Sequence, residues 1–200
     1  MVAVDQIMQG GMMASIAIHA WIAGSRANGP GTRTVVWVQG CTLACRGCFN
    51  PNTHTTGSHH RPVRDLLAEM IAVDPTADGL TISGGEPLQQ PEPLSEIITG
   101  WKNATGSSVI VLTGYTWTEV VADDIKHSAV GDADVVIAGR YNSDLHIGEG
   151  MRGSKNKEYV FLTTAYCETD FAELPEVEVI VTPEGGLVQT GMAAMLNEEL

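Results

Sequence analysis

The stretch that decides the fold is TVVWVQGCTLACRGC, at residues 34–48. It opens with a run of β-branched and aromatic residues, and a short continuous apolar run is typical of a strand buried on both faces. Gly40 follows the run, and three cysteines come next, at Cys41, Cys45 and Cys48. In open α/β folds and barrels, functional groups lie where the strands reach their carboxyl ends. The stretch therefore predicts a buried strand with a thiol-rich functional loop at its end.

The same pattern of an apolar run followed by glycine occurs again later in the chain. The further runs are LTISGG at residues 80–85, VIVLTG at 109–114 and DVVIAG at 134–139. Stretches with helical spacing of apolar residues lie around these runs, at residues 63–73, 92–101 and 118–125. The alternation of strand and helix predicts an α/β fold with a parallel sheet and right-handed crossovers.

The length of the chain limits how far such a sheet can close. A full barrel of eight strand–helix units takes roughly 250 residues, whereas this chain has 200. We therefore expect an open, partial βα barrel of parallel strands. Residues 14–22 predict an extra N-terminal strand, and residues 177–190 predict a C-terminal β-hairpin with its turn at Pro183-Glu184-Gly185-Gly186. The prediction is one domain over residues 1–200, with its core at about residues 14–164.

Composition excludes several classes of function. The net charge of −13 disfavours nucleic acid as the main partner, since phosphate binding needs a basic surface. The longest apolar runs are much shorter than a membrane span. No Lys or Arg precedes Arg26, so the N-terminus does not resemble a secretory signal. We expect a cytoplasmic protein with no nucleic-acid partner and no membrane partner.

The cysteine spacing C-x3-C-x2-C allows several kinds of site. Three thiolates on one short loop can each bind one iron of a [4Fe–4S] cubane, which leaves the fourth iron open to a substrate. A zinc site is the first alternative, with His54 as its fourth ligand. Cys167 could instead complete the cluster of an electron carrier, although a lone cysteine among aromatic residues is more often a small buried hydrophobe.

A glycine-rich turn, Ser83-Gly84-Gly85-Glu86-Pro87, follows the second run. Its glycines allow the backbone to approach a ligand closely, and Glu86 can accept a hydrogen bond from an ammonium group. The alternative is a plain turn before a helix, in which Glu86 complements the helix dipole. Thr113-Gly114-Tyr115 follows the third run. It either borders a ligand site or leads into a helix whose N-cap is Thr116 or Thr118. Both loops should open at the same end of the sheet as the cysteines.

These motifs together resemble a known family. Cys41 to Cys48 resembles the CxxxCxxC motif of radical S-adenosylmethionine enzymes. The longer string VWVQGC, continuing to CFNP at residues 48–51, resembles the activating proteins of anaerobic ribonucleotide reductase. Most of the superfamily has an aromatic residue directly before the third cysteine. Here Gly47 is in that position and Phe49 follows, as is typical of the activating proteins.

The resemblance implies a cofactor for each motif. Cys41, Cys45 and Cys48 would bind a [4Fe–4S] cluster. The residues expected to contact S-adenosylmethionine are Gly47, Cys48, Phe49, Ser83, Gly84, Gly85, Glu86, Thr113, Gly114 and Tyr115. The strings at residues 25–33 and 151–156 also resemble stretches of the activating proteins. The second string either contacts the cofactor or a partner, or is a solvated loop.

The resemblance also implies a reaction. The cluster would reductively cleave S-adenosylmethionine to a 5′-deoxyadenosyl radical. That radical would install a glycyl radical on a partner enzyme resembling anaerobic ribonucleotide reductase. A flavodoxin- or ferredoxin-type protein would donate the electron. The alternatives are a radical enzyme that modifies a peptide or small molecule, and a non-catalytic module that binds zinc or an iron–sulfur cluster.

Overall fold

The predicted N-terminal strand and the four apolar runs lie side by side in one mixed sheet. The computed structural model describes residues 14–57, 59–181 and 185–192, and within these residues the sheet has seven strands in the order β3-β1-β2-β4-β5-β6-β7. The strands are β1 (Ser15–Ser25), β2 (Arg33–Val38), β3 (His60–Pro62), β4 (Gly79–Gly84), β5 (Ser108–Leu112), β6 (Val135–Ala138) and β7 (Glu158–Phe161). The α/β class predicted from the sequence is confirmed.

The four apolar runs form the parallel centre of this sheet. Strands β2, β4, β5 and β6 pair in parallel, with Val36 opposite Ile82 and Ile82 opposite Val111. The extra N-terminal strand is confirmed as β1, which pairs antiparallel with β2 and extends to Ser25. The antiparallel edge strands β3 and β7 were not predicted from the sequence. Each has only three or four residues and is partly exposed, so neither carries a continuous apolar run.

Helices cover one face of the sheet. They are α1 (Val63–Val73), α2 (Pro91–Thr105), α3 (Trp117–Val121) and α4 (Asp124–Ala129). The predicted helix at residues 118–125 is wrong as a single element, because a second N-cap interrupts it. The Asp123 carboxylate accepts hydrogen bonds from the amides of Ile125 and Lys126, which starts a new helix. Among the described residues, no helix has both the length and the apolar character needed to cross a membrane.

Both faces of the central strands are buried, and alternate residues belong to different clusters. Val109 and Val111 of β5 pack with the helices. Ile110 and Leu112 point to the other face, where they join a cluster that includes Met151 and Phe171 from the segments after β6. This two-sided burial explains why the strands are continuous apolar runs.

The C-terminal hairpin forms a separate two-stranded sheet of β8 (Val177–Val181) and β9 (Leu187–Gly191). The predicted hairpin is confirmed, although residues 182–184 of its predicted turn lie outside the described residues. The polar face of the hairpin contacts the end of β1 and the loop that follows it. The Glu178 carboxylate accepts hydrogen bonds from the Ser25 hydroxyl at 2.8 Å and from the Arg26 amide at 2.9 Å. Its valines at 177, 179 and 181 face solvent.

Arg33 stabilises the loop after β1 through hydrogen bonds to β4. Its guanidinium is fully buried and donates from Nε to the Thr81 hydroxyl at 2.7 Å and from Nη2 to the Leu80 carbonyl at 2.7 Å. Thr81 in turn donates to the carbonyl of Asn28 at 2.6 Å. Gly79 provides the space, because a Cβ there would lie 2.4 Å from Nη1 of Arg33.

Candidate functional site

A cavity of about 300 Å³ opens at the edge where β2, β4 and β5 reach their carboxyl ends. The sequence-predicted residues that line it are Cys41, Cys45, Cys48, Phe49, Ser83, Gly84, Gly85, Glu86, Thr113 and Gly114. The volume is at the lower end of the range of roughly 300–1,000 Å³ that is usual for ligand pockets. The tertiary structure thus brings the cysteine loop, the glycine-rich turn and the end of β5 to one place.

Backbone hydrogen bonds join the cysteine loop directly to the glycine-rich turn. The Gly85 amide donates to the Val38 carbonyl at 2.8 Å, and the Glu86 amide donates to the Gly40 carbonyl at 2.9 Å. The contact is so close that a Cβ at Gly85 would lie 2.3 Å from the Gly40 oxygen. Only glycine permits this approach, and the position of Cys41 depends on it.

The three clustered cysteines are free thiols and partly buried. Burial raises the pKa of the Cys41 and Cys48 thiols, and the Asn50 amide partly opposes this effect at Cys48 by a hydrogen bond. Within the part of the chain that the structure describes, no three His, Cys, Asp or Glu side chains are close enough to hold one metal ion. An iron–sulfur cubane does not need three side chains around one metal ion, because each thiolate binds a different iron of the cluster.

Glu86 connects the loops around the cavity. Its side chain is fully buried, and Oε1 accepts hydrogen bonds from the Leu88 amide at 2.9 Å and the Thr113 hydroxyl at 2.7 Å. Oε2 accepts from the Gly114 amide at 2.7 Å. Burial raises the pKa of this carboxyl, and these hydrogen bonds oppose the rise. A carboxylate has about four lone-pair sites, so Oε2 retains capacity to accept from a ligand.

Two of the predicted site residues do not line the cavity. Gly47 adopts a φ of +70° behind the cysteine loop, where a Cβ would lie 3.2 Å from Cβ of Ser143. Tyr115 lies outside, with its ring facing the Lys126 ammonium at 5.1 Å and the Arg140 guanidinium at 5.0 Å. Gly47 therefore provides a turn against which the segment after β6 packs through Ser143, and Tyr115 packs against cationic side chains.

Comparison with known proteins decides the family. A family model described as "4Fe-4S single cluster domain" matches residues 27–160, which contain all three cysteines and the glycine-rich turn. The chain belongs to the 4Fe-4S single cluster domain family. This membership confirms the expectation of a [4Fe–4S] cluster.

Named relatives of this 4Fe-4S domain protein are activating proteins. The pyruvate formate-lyase-activating enzyme of Clostridium pasteurianum is 36% identical over 55% of this chain, which spans about half of that enzyme, 52%. The anaerobic ribonucleoside-triphosphate reductase-activating protein of Vibrio cholerae is 31% identical over 65% of this chain and 88% of its own length. Among solved structures, QueE from Escherichia coli covers 51% of the chain with a TM-score of 0.42 and 21% identity.

Other residues that line the cavity were not among the predicted site residues. They include His19, Asn28, Tyr141, Met151, Arg152, Lys157 and Thr190. Arg152 and Lys157 lie in or beside the family-like string at 151–156, and Asn28 lies in the one at 25–33, so both strings were informative. Thr190 comes from the hairpin, and its hydroxyl accepts a hydrogen bond from the side-chain amide of Asn28 at 2.8 Å. No local signal distinguishes it.

The side chains of the alternative ligands considered from the sequence, Cys167 and His54, lie outside the cavity. Cys167 does not line the cavity, and the expectation that it is a buried hydrophobe is wrong, because its side chain is exposed. Its Sγ contacts the Thr169 hydroxyl at 3.1 Å and the Asp170 carboxylate at 3.3 Å. His54 accepts a hydrogen bond from the Cys41 amide through its backbone carbonyl, but its side chain does not line the cavity.

The hydrogen bonds of Glu86 make a testable prediction for this 4Fe-4S domain. In Glu86→Gln, an –NH2 group replaces one carboxylate oxygen. This hydrogen-bond donor would then face another donor, the backbone amide of Leu88 or of Gly114. We expect a loss of about 1–3 kcal/mol in the free energy of unfolding. Urea denaturation of the wild type, Glu86→Gln and the exposed control Glu173→Gln measures this. Equal losses in the two variants would contradict the role of Glu86 in joining the loops.

Proposed function

We propose that this protein is a radical S-adenosylmethionine enzyme of the activating type. The observation that supports this most directly is that Cys41, Cys45 and Cys48 line the same cavity as the Ser83–Glu86 turn. The turn donates backbone hydrogen bonds to Val38 and Gly40, the residues that lead into the cysteine loop. One cavity thus presents thiolates for a cluster beside polar groups for its ligand. When bound, the cluster and S-adenosylmethionine supply a 5′-deoxyadenosyl radical by one-electron cleavage.

The residues of the cavity fit both cofactors. The three thiols share one short loop, and each can bind one iron of a cubane. For the amino-acid end of S-adenosylmethionine, Glu86 Oε2 can accept from the ammonium group. Arg152 lines the cavity, and its Nε is buried without a hydrogen-bond partner among the described residues. An unsatisfied buried donor is costly, and a carboxylate would satisfy it.

The chain's own contribution is orientation and exclusion of water. Glu86 and Arg152 would hold the two charged ends of an amino acid. The rings of Phe49 and Tyr141 pack against each other at a tilt of 45°, with centroids 4.4 Å apart, and form an aromatic wall beside Cys48. Leu43 and Met151 add apolar lining. Such a wall limits side reactions of a reactive species with water.

We propose a backbone glycine of a glycyl-radical enzyme as the acceptor. The relatives named above are activators of pyruvate formate-lyase and of anaerobic ribonucleoside-triphosphate reductase. A flavodoxin- or ferredoxin-type donor would supply the electron, and the reduced thiols suit a cytoplasmic setting.

We also propose that the sheet is an open barrel within one domain over residues 1–200. The support is that the face away from the helices packs against Met151, Phe171 and other residues of the later segments, as the interior of a barrel would. A single cooperative transition in thermal unfolding, followed by near-ultraviolet and far-ultraviolet circular dichroism, is the expected result for one domain.

Anaerobic reconstitution tests the proposed function. The reduced protein with S-adenosylmethionine should form 5′-deoxyadenosine and methionine. With a co-encoded glycyl-radical subunit, electron paramagnetic resonance should show a glycyl doublet, and the same subunit with its radical glycine replaced by alanine should show none. 5′-Deoxyadenosine without a doublet for every candidate subunit would contradict the acceptor. No 5′-deoxyadenosine from a cluster-loaded protein would contradict the enzyme class.

A further inference from the structure

Lys157 is an inward-facing cation whose role the proposed function leaves open. It lines the cavity together with Cys45 and Cys48. It directly precedes β7, which pairs with β6 through Ala138 opposite Glu158. Lys157 therefore lies at the sheet edge formed by β7. It is at the same end of the parallel strands as the glycine-rich turn, and its side chain reaches the cavity from there.

The position of Lys157 is held on several sides. Its amide donates to the Ser154 carbonyl at 3.1 Å, and the neighbouring Asn156 side chain donates to the Arg140 carbonyl at 2.8 Å. Gly139 leaves room for its stem, because a Cβ there would lie 3.3 Å from the Lys157 Cα and 3.5 Å from its Cγ. This packing directs the ammonium toward the cavity and not to solvent.

The ammonium of Lys157 has little compensation from the protein. Among the described residues this ammonium donates one hydrogen bond, to the Thr113 carbonyl at a long 3.4 Å. No carboxylate of the described residues lies within salt-bridge distance of it. Burial lowers the pKa of Lys157, and the negative charges that oppose this are those of Glu86, Cys45 and Cys48. A desolvated cation without a paired anion is unfavourable, so an anionic group in the cavity is expected to be its partner.

We propose that Lys157 is a positioning residue that compensates the negative charge of the iron–sulfur cluster at Cys45 and Cys48 and thereby raises its reduction potential. The inference rests on the proposed function in so far as the three cysteines are the cluster ligands. Reduction adds negative charge to a group that its thiolates already make anionic. A fixed cation in a low-dielectric cavity stabilises the reduced form more than the oxidised form.

A redox titration of the reconstituted protein without S-adenosylmethionine tests this inference. In Lys157→Met, which keeps the length of the stem but removes the charge, the midpoint potential should become more negative. We expect the reduction equilibrium to fall about tenfold, which is about 59 mV for a one-electron couple. Lys157→Arg should restore most of the wild-type potential. Lys155→Met removes the same charge from an exposed position in the same segment and should leave the potential unchanged.

The possible outcomes separate this inference from the proposed function. A wild-type potential in Lys157→Met would overturn it, and weaker binding of S-adenosylmethionine alone in that variant would assign Lys157 to the ligand instead. If Lys157→Met does not retain iron, the comparison of Lys157→Gln with Lys157→Arg provides the same test. A cluster-loaded wild type that forms no 5′-deoxyadenosine would contradict the proposed function and leave the potentials to decide the role of Lys157.

Discussion

Cys45→Ala is expected to abolish the iron–sulfur cluster and, with it, all formation of 5′-deoxyadenosine. Cys45 is the middle cysteine of the loop, and it lines the cavity between Cys41 and Cys48. With one thiolate missing, two of the four irons of a cubane would have no protein ligand. Iron and sulfide content after anaerobic reconstitution, together with the visible absorption of the cluster, measure the loss directly.

Cys167→Ala is the matched control for that experiment. Cys167 is exposed and contacts Thr169 and Asp170 outside the cavity, so its replacement should leave iron content and 5′-deoxyadenosine formation at the wild-type level. Loss of the cluster in Cys167→Ala would indicate four cysteine ligands, as in an electron carrier. Retention of a full cluster in Cys45→Ala would refute the ligand set proposed here.

Gly85→Ala should disrupt both the fold around the cavity and the cluster site. The added Cβ would lie 2.3 Å from the Gly40 oxygen, 2.8 Å from the Gly40 carbonyl carbon and 3.0 Å from the Thr53 oxygen. All three are backbone atoms, so no side chain can rotate away. Overpacking usually costs about 1–3 kcal/mol, and we expect this variant to be at the upper end or above it. The corresponding fall in Tm is roughly 6–12 °C for a chain of this size.

The displaced backbone carries Cys41, so we expect Gly85→Ala also to bind less iron on reconstitution. Gly131→Ala is its control. A Cβ at Gly131 would meet its nearest heavy atom, the Ser128 oxygen, at 3.4 Å, an ordinary contact. Thermal unfolding and iron content should both remain near the wild-type values in this control. If Gly85→Ala matched Gly131→Ala in both measurements, the close contact between the two loops would not be required for the site.

The local sequence was sufficient to predict the central strands and the motifs at their ends. The runs that form β2, β4, β5 and β6 are continuous and apolar because helices bury one face and later segments bury the other. The helix Val63–Val73 was predicted with its observed bounds, since its apolar residues repeat at helical spacing. The predicted helix at residues 118–125 failed because the capping role of Asp123 competes with that periodicity.

Other features depend on contacts between residues far apart in the chain. The sequence pointed to Glu86 as an acceptor for a ligand, but its burial and its bonds to Thr113 and Gly114 exist only once β4 and β5 are paired. Tyr115 follows its motif in sequence yet lies outside the cavity, since a residue one position further along a loop can face the opposite side. Thr190 reaches Asn28 across 162 positions, and no short-range pattern encodes such a contact.

By itself, therefore, the sequence determined the α/β class, the cysteine loop, the glycine-rich turn and the family to which they belong. Each of these is a short pattern whose physical cause is local: β-branched residues favour strands, glycines allow close backbone approach, and clustered thiols suit a cluster. Only the tertiary structure decided which charges share the cavity with the thiols. Lys157 and Arg152 lie more than a hundred positions after Cys48, and the pairing of β6 with β7 and the fold of the segment between them bring them there.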